Sequence, residues 1–287
     1  MSTPSATAHR RLPYLLILPS LVFMVLLLGW PMITGLTEAF RGPDGPTLAH
    51  WQRMLGEPRF YDAVKNTLLL IAIVIPVQFA LALGMGLLLQ AKLRFGGVHF
   101  YVWAVPLAVS DLAAGLVWLS IFADQGYLNS ALSAIGLPVF SWLSYQSPAT
   151  MLMAVVVAEI WRSTALVLII VVAGMQMIPR EYDEAAQVFG GGAWQRFRHV
   201  TLPLLRPSLQ VALILRTILA VQTFAVAQAL TGRNFPLLVG ETYEWFVTLQ
   251  NPGVASAVAL VVLGISLAVS AIYLRALREP ATDKELR

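Results

Sequence analysis

A chain of 287 residues that is 58% hydrophobic and 12% charged cannot fold as an ordinary water-soluble domain, because such domains carry about 25% charged residues. Its mean hydropathy of +0.73 would leave more apolar surface than water tolerates unless lipid replaces water as the solvent for its helices. The net charge of +4 comes from nineteen Lys and Arg scattered singly and in pairs between apolar runs, which marks the flanks of membrane spans and not a nucleic-acid partner. With no cysteine, the chain has no disulfide framework, thiolate nucleophile or cysteine metal site, and its dispersed histidines make no ligand set.

Met1 leads into a short polar arm, residues 1–11, that lacks the pattern of a cleaved leader, so the first apolar run reads as retained. A bilayer core takes roughly 20 apolar residues per helix. Leu12 to Thr37 is the first such run and Asn66 to Ala91 the second. The third, Phe100 to Ala123, is interrupted only by Asp111, and the fourth, Thr150 to Ile178, contains Glu159 and Arg162. Pro207 to Leu230 contains Arg216, and Val254 to Leu274 is the last. The expected fold is an all-α polytopic membrane protein: one domain of six transmembrane helices over residues 12–274, then a tail over 275–287. Pro19, Pro31, Pro76 and Pro106 lie within spans, where a missing backbone donor bends or breaks a helix unless neighbours satisfy the freed carbonyl.

Six spans put both termini on one side. Arg10, Arg11, Lys92, Arg94, Arg180, Arg196, Arg198, Arg206, Arg275, Arg278, Lys284 and Arg287 make twelve basic residues there, against five opposite: Arg41, Arg53, Arg59, Lys65 and Arg233. The positive-inside rule therefore predicts cytoplasmic termini. The outer segment Asp124 to Ser147 is almost uncharged and carries Tyr127, Trp142 and Tyr145, which suits a stretch at the membrane interface or against a partner.

The cytoplasmic loop 180–203 carries the strongest pattern. Pro179 ends the fourth span, and Glu181, Asp183 and Glu184 supply acids for the first turn of a short helix. Tyr182, Ala185, Ala186 and Phe189 fall at i, i+3, i+4 and i+7 and make one apolar stripe. Gly190, Gly191 and Gly192 end that helix and permit a sharp turn. A second amphipathic piece, Trp194 to Val200, is expected before Pro203, so that a bent helix pair projects from the membrane; the alternative is a helix lying on lipid headgroups.

Glu184-Ala185-Ala186, three residues, Gly190, nine residues, Val200, one residue, Leu202-Pro203 resembles the EAA motif in permease subunits of binding-protein-dependent ATP-binding-cassette (ABC) importers, with Val200 in the usual isoleucine slot. The resemblance extends over nearly the whole chain and points to the sugar branch. Trp51 to Leu70, with Pro58-Arg-Phe and Asn66-Thr67, is similar to the stretch before the second helix of maltose, trehalose and glycerol phosphate permeases. Trp194 to Pro203 and Ala229-Leu-Thr-Gly232 resemble further segments of that branch. Arg233-Asn234-Phe235 departs from its Gly-Gly-Pro-like turn.

The resemblance implies a division of labour. Two permease subunits form the pathway, here a heterodimer with a homologue; two cytoplasmic ATPases bind ATP and Mg; and an extracytoplasmic binding protein delivers the solute. The loop would be the coupling helix docked in an ATPase cleft, with Glu184, Ala185, Ala186, Gly190, Leu202 and Pro203 as coupling residues. The setting implied is a bacterial or archaeal cytoplasmic membrane. The chain lacks GxxxxGK[ST], so no cofactor and no ATP hydrolysis are expected of it alone.

An ionisable group at membrane depth costs roughly 2.5 to 3.5 kcal/mol on insertion scales, so Asp111, Glu159, Arg162 and Arg216 should face protein or a water-filled cavity. Glu159 and Arg162, three residues apart, are expected to pair; Asp111 and Arg216 sit near helix ends, bridge to the other subunit, or serve as candidates for the solute pathway. Gln222, Thr223 and Gln228 are neutral hydrogen-bonding groups matched to sugar hydroxyls, and the positions before Phe224 resemble cavity-lining positions of the sugar branch; interhelical bonding is the alternative. Trp30, Trp103, Trp118, Trp161 and Trp245 could stack on sugar faces, but most tryptophans near span ends are interface anchors, so none is assigned a role.

Other functions fit less well. An ion-coupled secondary transporter using Asp111, Glu159 and Arg162 as a relay needs inverted repeats and broken-helix sites, and the sequence reads as having neither. A membrane enzyme needs a catalytic motif, and neither HExxH nor GxSxG occurs. An ABC permease for amino acids or peptides is a variant of the leading expectation.

Overall fold

In the computed structural model, residues 16–91 and 94–276 are described. Residues 1–15, 92, 93 and 277–287, with their basic residues, lie outside them, and with them the expected N-terminal arm, the start of the first span and the tail after Ala276. In chain order the helices are α1 (Leu16–Glu38), α2 (Ala49–Leu55), α3 (Pro58–Gln90), α4 (Gly96–Ala104), α5 (Asp111–Phe122) and α6 (Tyr127–Ala134). Then come α7 (Pro148–Gln176), α8 (Arg180–Val188), α9 (Ala193–Val221), α10 (Ala225–Thr231), α11 (Leu238–Tyr243) and α12 (Pro252–Ala276). A single antiparallel hairpin among the described residues pairs β1 (Arg41–Gly42) with β2 (Gly45–Pro46).

Five of these helices, α1, α3, α7, α9 and α12, are long and apolar enough to cross a bilayer, and the bent pair 96–108 and 111–134 makes a sixth candidate. Five of the six expected spans thus appear as single helices, and the third is matched only if the bent pair counts as one span, with two corrections. First, the third is not a continuous rod: its two parts meet at 101°. The cause is local, since Pro106 sits in a tight turn, Val105–Ala108, the backbone extends at Val109 and Ser110, and the Ser110 hydroxyl accepts from the Ala113 N–H at 3.2 Å to start α5 anew. Second, the fifth span does not run through to Leu230. It stops at Val221 and resumes at Ala225.

Proline does not always break these helices. Pro76 lies inside the uninterrupted α3. Before Pro31 and before Pro203 the helix widens into one π turn, with Trp30 N–H donating to the Val25 carbonyl and Leu202 N–H to that of Phe197. The shifted bonding absorbs the donor that proline lacks, and the helix continues. Trp194 to Val200 is thus the first part of α9 and not a separate piece ending at Pro203.

The chain forms two compact units through its described residues, one from Met1–Glu57 and Thr242–Leu260, the other from Pro58–Glu241 and Val261–Arg287. In the first, Phe40 and Trp51 rings lie 5.7 Å apart, His50 Nε2 bonds the Arg41 carbonyl at 2.9 Å, and Arg53 sits over Trp245. The second holds the main core. One cluster joins Leu70, Val74, Met151, Val155, Phe122 and Leu230; another joins Phe79, Leu168, Val171, Leu205 and Ala212. The halves of the two broken spans pack closely: a Cβ on Gly115 of α5 would lie 2.6 Å from the Ala229 Cβ of α10, so no larger residue fits there without displacement.

Candidate functional site

Two constellations carry the chemistry: the loop after α7 and a charged array within the spans. In the loop, α8 is followed by a Schellman turn. Gly190 N–H donates to the Gln187 carbonyl and Gly191 N–H to that of Ala186, both at 2.9 Å. Gly190 has φ +79°, which L side chains rarely adopt, and a Cβ on Gly191 would lie 2.8 Å from the Ala186 oxygen. Sequence spacing at these glycines thus has a stereochemical cause.

Across the turn, Arg196 Nη1 of α9 donates to Asp183 Oδ2 of α8 at 2.8 Å, and Gln187 donates to the same oxygen at 2.7 Å. Gln195 Oε1 accepts from Gly192 N–H at 2.9 Å and starts α9. The result is a braced pair of helices whose apolar side chains point outward: Phe189 is 91% exposed, and Val188, Trp194 and Tyr182 are also exposed. Glu184 and Ala185 are exposed, while Ala186, Leu202 and Pro203 are half-buried.

The intramembrane array crosses four helices. Arg216 of α9 donates to Glu159 Oε1 of α7 at 2.7 Å and to Gln78 Oε1 of α3 at 2.8 Å; Gln78 Nε2 donates to the Glu159 carbonyl at 3.0 Å. Ser163 donates to Glu159 Oε1 at 3.0 Å. Arg162 turns the other way and pairs with Asp111 at the start of α5, at 2.7 Å. The expected Glu159–Arg162 pair is only a loose 3.5 Å contact, because a shorter partner is available to each residue on another helix. Positive and negative groups therefore alternate, Arg216, Glu159, Arg162, Asp111, and their formal charges cancel.

Arg216 and Glu159 are each 1% exposed, whereas the Asp111 side chain is 53% exposed beside the bend of the third span. Gln222 and Gln228 flank the break in the fifth span with exposed side chains, and Thr223 is buried with no hydrogen-bond partner for its hydroxyl. The structure thus puts Gln222 and Thr223 in the helix break and Gln228 one turn into α10, and leaves Arg216 sealed inside. Sequence reading missed Gln78; its signal was a lone amide in the apolar run 68–89. The loop 233–238, where the family pattern fails, is held by the stretch that matches it: Arg59 binds the Arg233 carbonyl and Glu241, both at 2.6 Å, Asn66 the Pro236 carbonyl at 3.1 Å, and Thr67 Oγ1 the Leu238 N–H at 3.1 Å.

Comparison with known proteins gives a consistent picture. The sulfoquinovosyl glycerol transport system permease protein SmoG of Agrobacterium fabrum is 32% identical over 94% of this chain and 91% of its own length. The trehalose/maltose transport system permease protein MalF of Thermococcus litoralis is 30% identical over 92% of this chain and 93% of its own. A chain in the structure of a bacterial alginate ABC transporter in complex with an alginate pentasaccharide-bound periplasmic protein shares the fold, with TM-score 0.79 at 22% identity over 94% of this chain and 95% of that one. Residues 4–278 match the family described as the inner membrane component of binding-protein-dependent transport systems, and the chain belongs to that family.

Proposed function

We propose that the chain is the membrane-spanning permease subunit of an ATP-driven importer that carries a sugar or oligosaccharide, and that the braced loop 180–203 couples it to cytoplasmic ATPase subunits. The observation that carries this is the loop geometry: a left-handed turn at Gly190 and the Asp183–Arg196 brace hold an exposed apolar face rigidly outside the spans. A rigid apolar projection is what force transmission to a separate protein requires. The sugar assignment is supported by relatives named for sulfoquinovosyl glycerol and for trehalose/maltose.

In this reading ATP and Mg are bound by the two ATPases, a second permease, a homologue, completes the pathway, and an extracytoplasmic binding protein delivers the solute. The twelve-to-five distribution of basic residues supports cytoplasmic termini in a bacterial or archaeal cytoplasmic membrane. Within the pathway, Gln222, Thr223 and Gln228 offer hydrogen bonds at the helix break, and Asp111 lies exposed at the other one. Arg216 acts from behind by fixing α9 against α3 and α7.

The test is reconstitution of the complete complex in proteoliposomes with labelled saccharides, among them trehalose, maltose and sulfoquinovosyl glycerol. Uptake of a saccharide that needs both ATP and the binding protein is expected. Uptake driven by an ion gradient without ATP, or stimulation by amino acids in place of saccharides, would overturn the reading.

A further inference from the structure

The connection between α5 and α7 is not used by the coupling loop or by the helix breaks. Residues 125–158 contain no Lys, Arg, Asp or Glu. Within that stretch, every residue from Ser133 to Ser141 is exposed, and the side chains include Ile135 at 71%, with Leu137, Val139 and Phe140 each half exposed or more. An apolar run this long, left in water, is an association hazard.

The run is nevertheless firmly folded. Asn129, itself buried, donates to the carbonyls of Asp124 and Phe140 at 3.1 and 2.8 Å, and its Oδ1 accepts from Phe140 N–H and Trp142 Nε1 at 3.2 and 3.1 Å. Leu137 N–H closes onto the Leu132 carbonyl at 2.9 Å. Leu128, Trp142 and Leu143 pack inward against the core, so the same hydrogen bonds that bury these side chains turn residues 135–140 outward. Tyr127 and Tyr145, both exposed, flank the run.

We propose that residues 127–145 form a rigid anchor lying in the headgroup layer of the bilayer, with Ile135, Leu137, Val139 and Phe140 dipped into the acyl boundary. Three observations select lipid over a protein partner. The segment leads directly into α7, a helix long and apolar enough to cross a bilayer, whose first turn therefore starts at a membrane surface. It lacks the charged rim that a soluble partner's footprint carries. Exposed tyrosines bracket the apolar run, as amphipathic rings do at membrane interfaces.

The experiment uses the full chain, which has no cysteine of its own. Leu137→Cys and Val139→Cys are made separately, labelled with a polarity-sensitive fluorophore and placed in phosphatidylcholine vesicles, with the labelling-treated parent as blank. Phosphatidylcholine carrying a shallow doxyl group should remove more than half of the emission from both sites, a deep doxyl group less, and aqueous iodide little. Adding the rest of the transport complex should leave that pattern unchanged. Quenching by iodide in place of lipid would overturn the proposal. So would loss of lipid quenching on assembly, which would mean that a protein covers the segment. The two sites serve as mutual checks, and both variants must keep the parent's unfolding midpoint for the reading to count.

Discussion

Glu159 and Arg216, 57 positions apart in sequence, meet at 2.7 Å with each side chain 1% exposed. Each also keeps one polar atom, Glu159 Oε2 and Arg216 Nη1, without a protein partner. Removing one member strands the other's charge in the interior, which costs about 3–5 kcal/mol. Glu159→Leu and Arg216→Met should each lower the unfolding midpoint of the purified chain sharply. The double variant should recover much of the loss, because an apolar pair of similar volume is often neutral or better. Additive losses in the double variant would show that the two side chains do not act as a pair.

Gly190 at φ +79° sets the second prediction. Valine there takes a conformation that costs an L side chain roughly 1–2 kcal/mol and loosens the brace between Asp183 and Arg196. Gly190→Val should insert normally yet lose uptake and retain less ATPase on co-purification. Wild-type uptake in this variant would remove the loop from coupling.

The third concerns Gln222, exposed at the break in the fifth span. Gln222→Leu keeps approximate volume while deleting an acceptor and two donors. A sugar hydroxyl left unpartnered costs about 1–3 kcal/mol, so uptake at subsaturating solute should fall roughly 5- to 150-fold, with assembly and basal ATP hydrolysis near normal. Unchanged kinetics would move the solute path off this break.

Topology gives the fourth. Gln187 is exposed on α8, and the proposed topology has that loop in the cytoplasm. Gln187→Cys should resist an impermeant thiol reagent in intact cells and react in inverted vesicles. Labelling from outside would reverse the arrangement.

Much of this fold could be read from the sequence because lipid imposes length: apolar runs near 20 residues marked the spans, and glycine with acidic first-turn residues marked the loop. The breaks could not be read so directly. Val109–Ser110 and Gln222–Phe224 carry no charge cluster, and only Pro106 followed by Ser110-Asp111 signalled one of them. Pro203 misled in the opposite direction, because a π turn just before it carries the helix through. The Glu159–Arg162 pairing followed from spacing on one helix, yet tertiary neighbours offered shorter partners, which no spacing rule contains.

Under the proposed coupling, the continuity of α9 gives the loop a mechanical role. Its 29 residues from Ala193 to Val221 span about 44 Å at 1.5 Å per residue, with the braced turn at one end and Gln222 at the other. Swung from the loop end through about 5°, a rod of that length displaces its far end by about 4 Å. That travel is comparable to the width of a sugar hydroxyl and its hydrogen bond together. The residue following Val221 would therefore feel a small rocking at the membrane surface as the making or breaking of one whole contact.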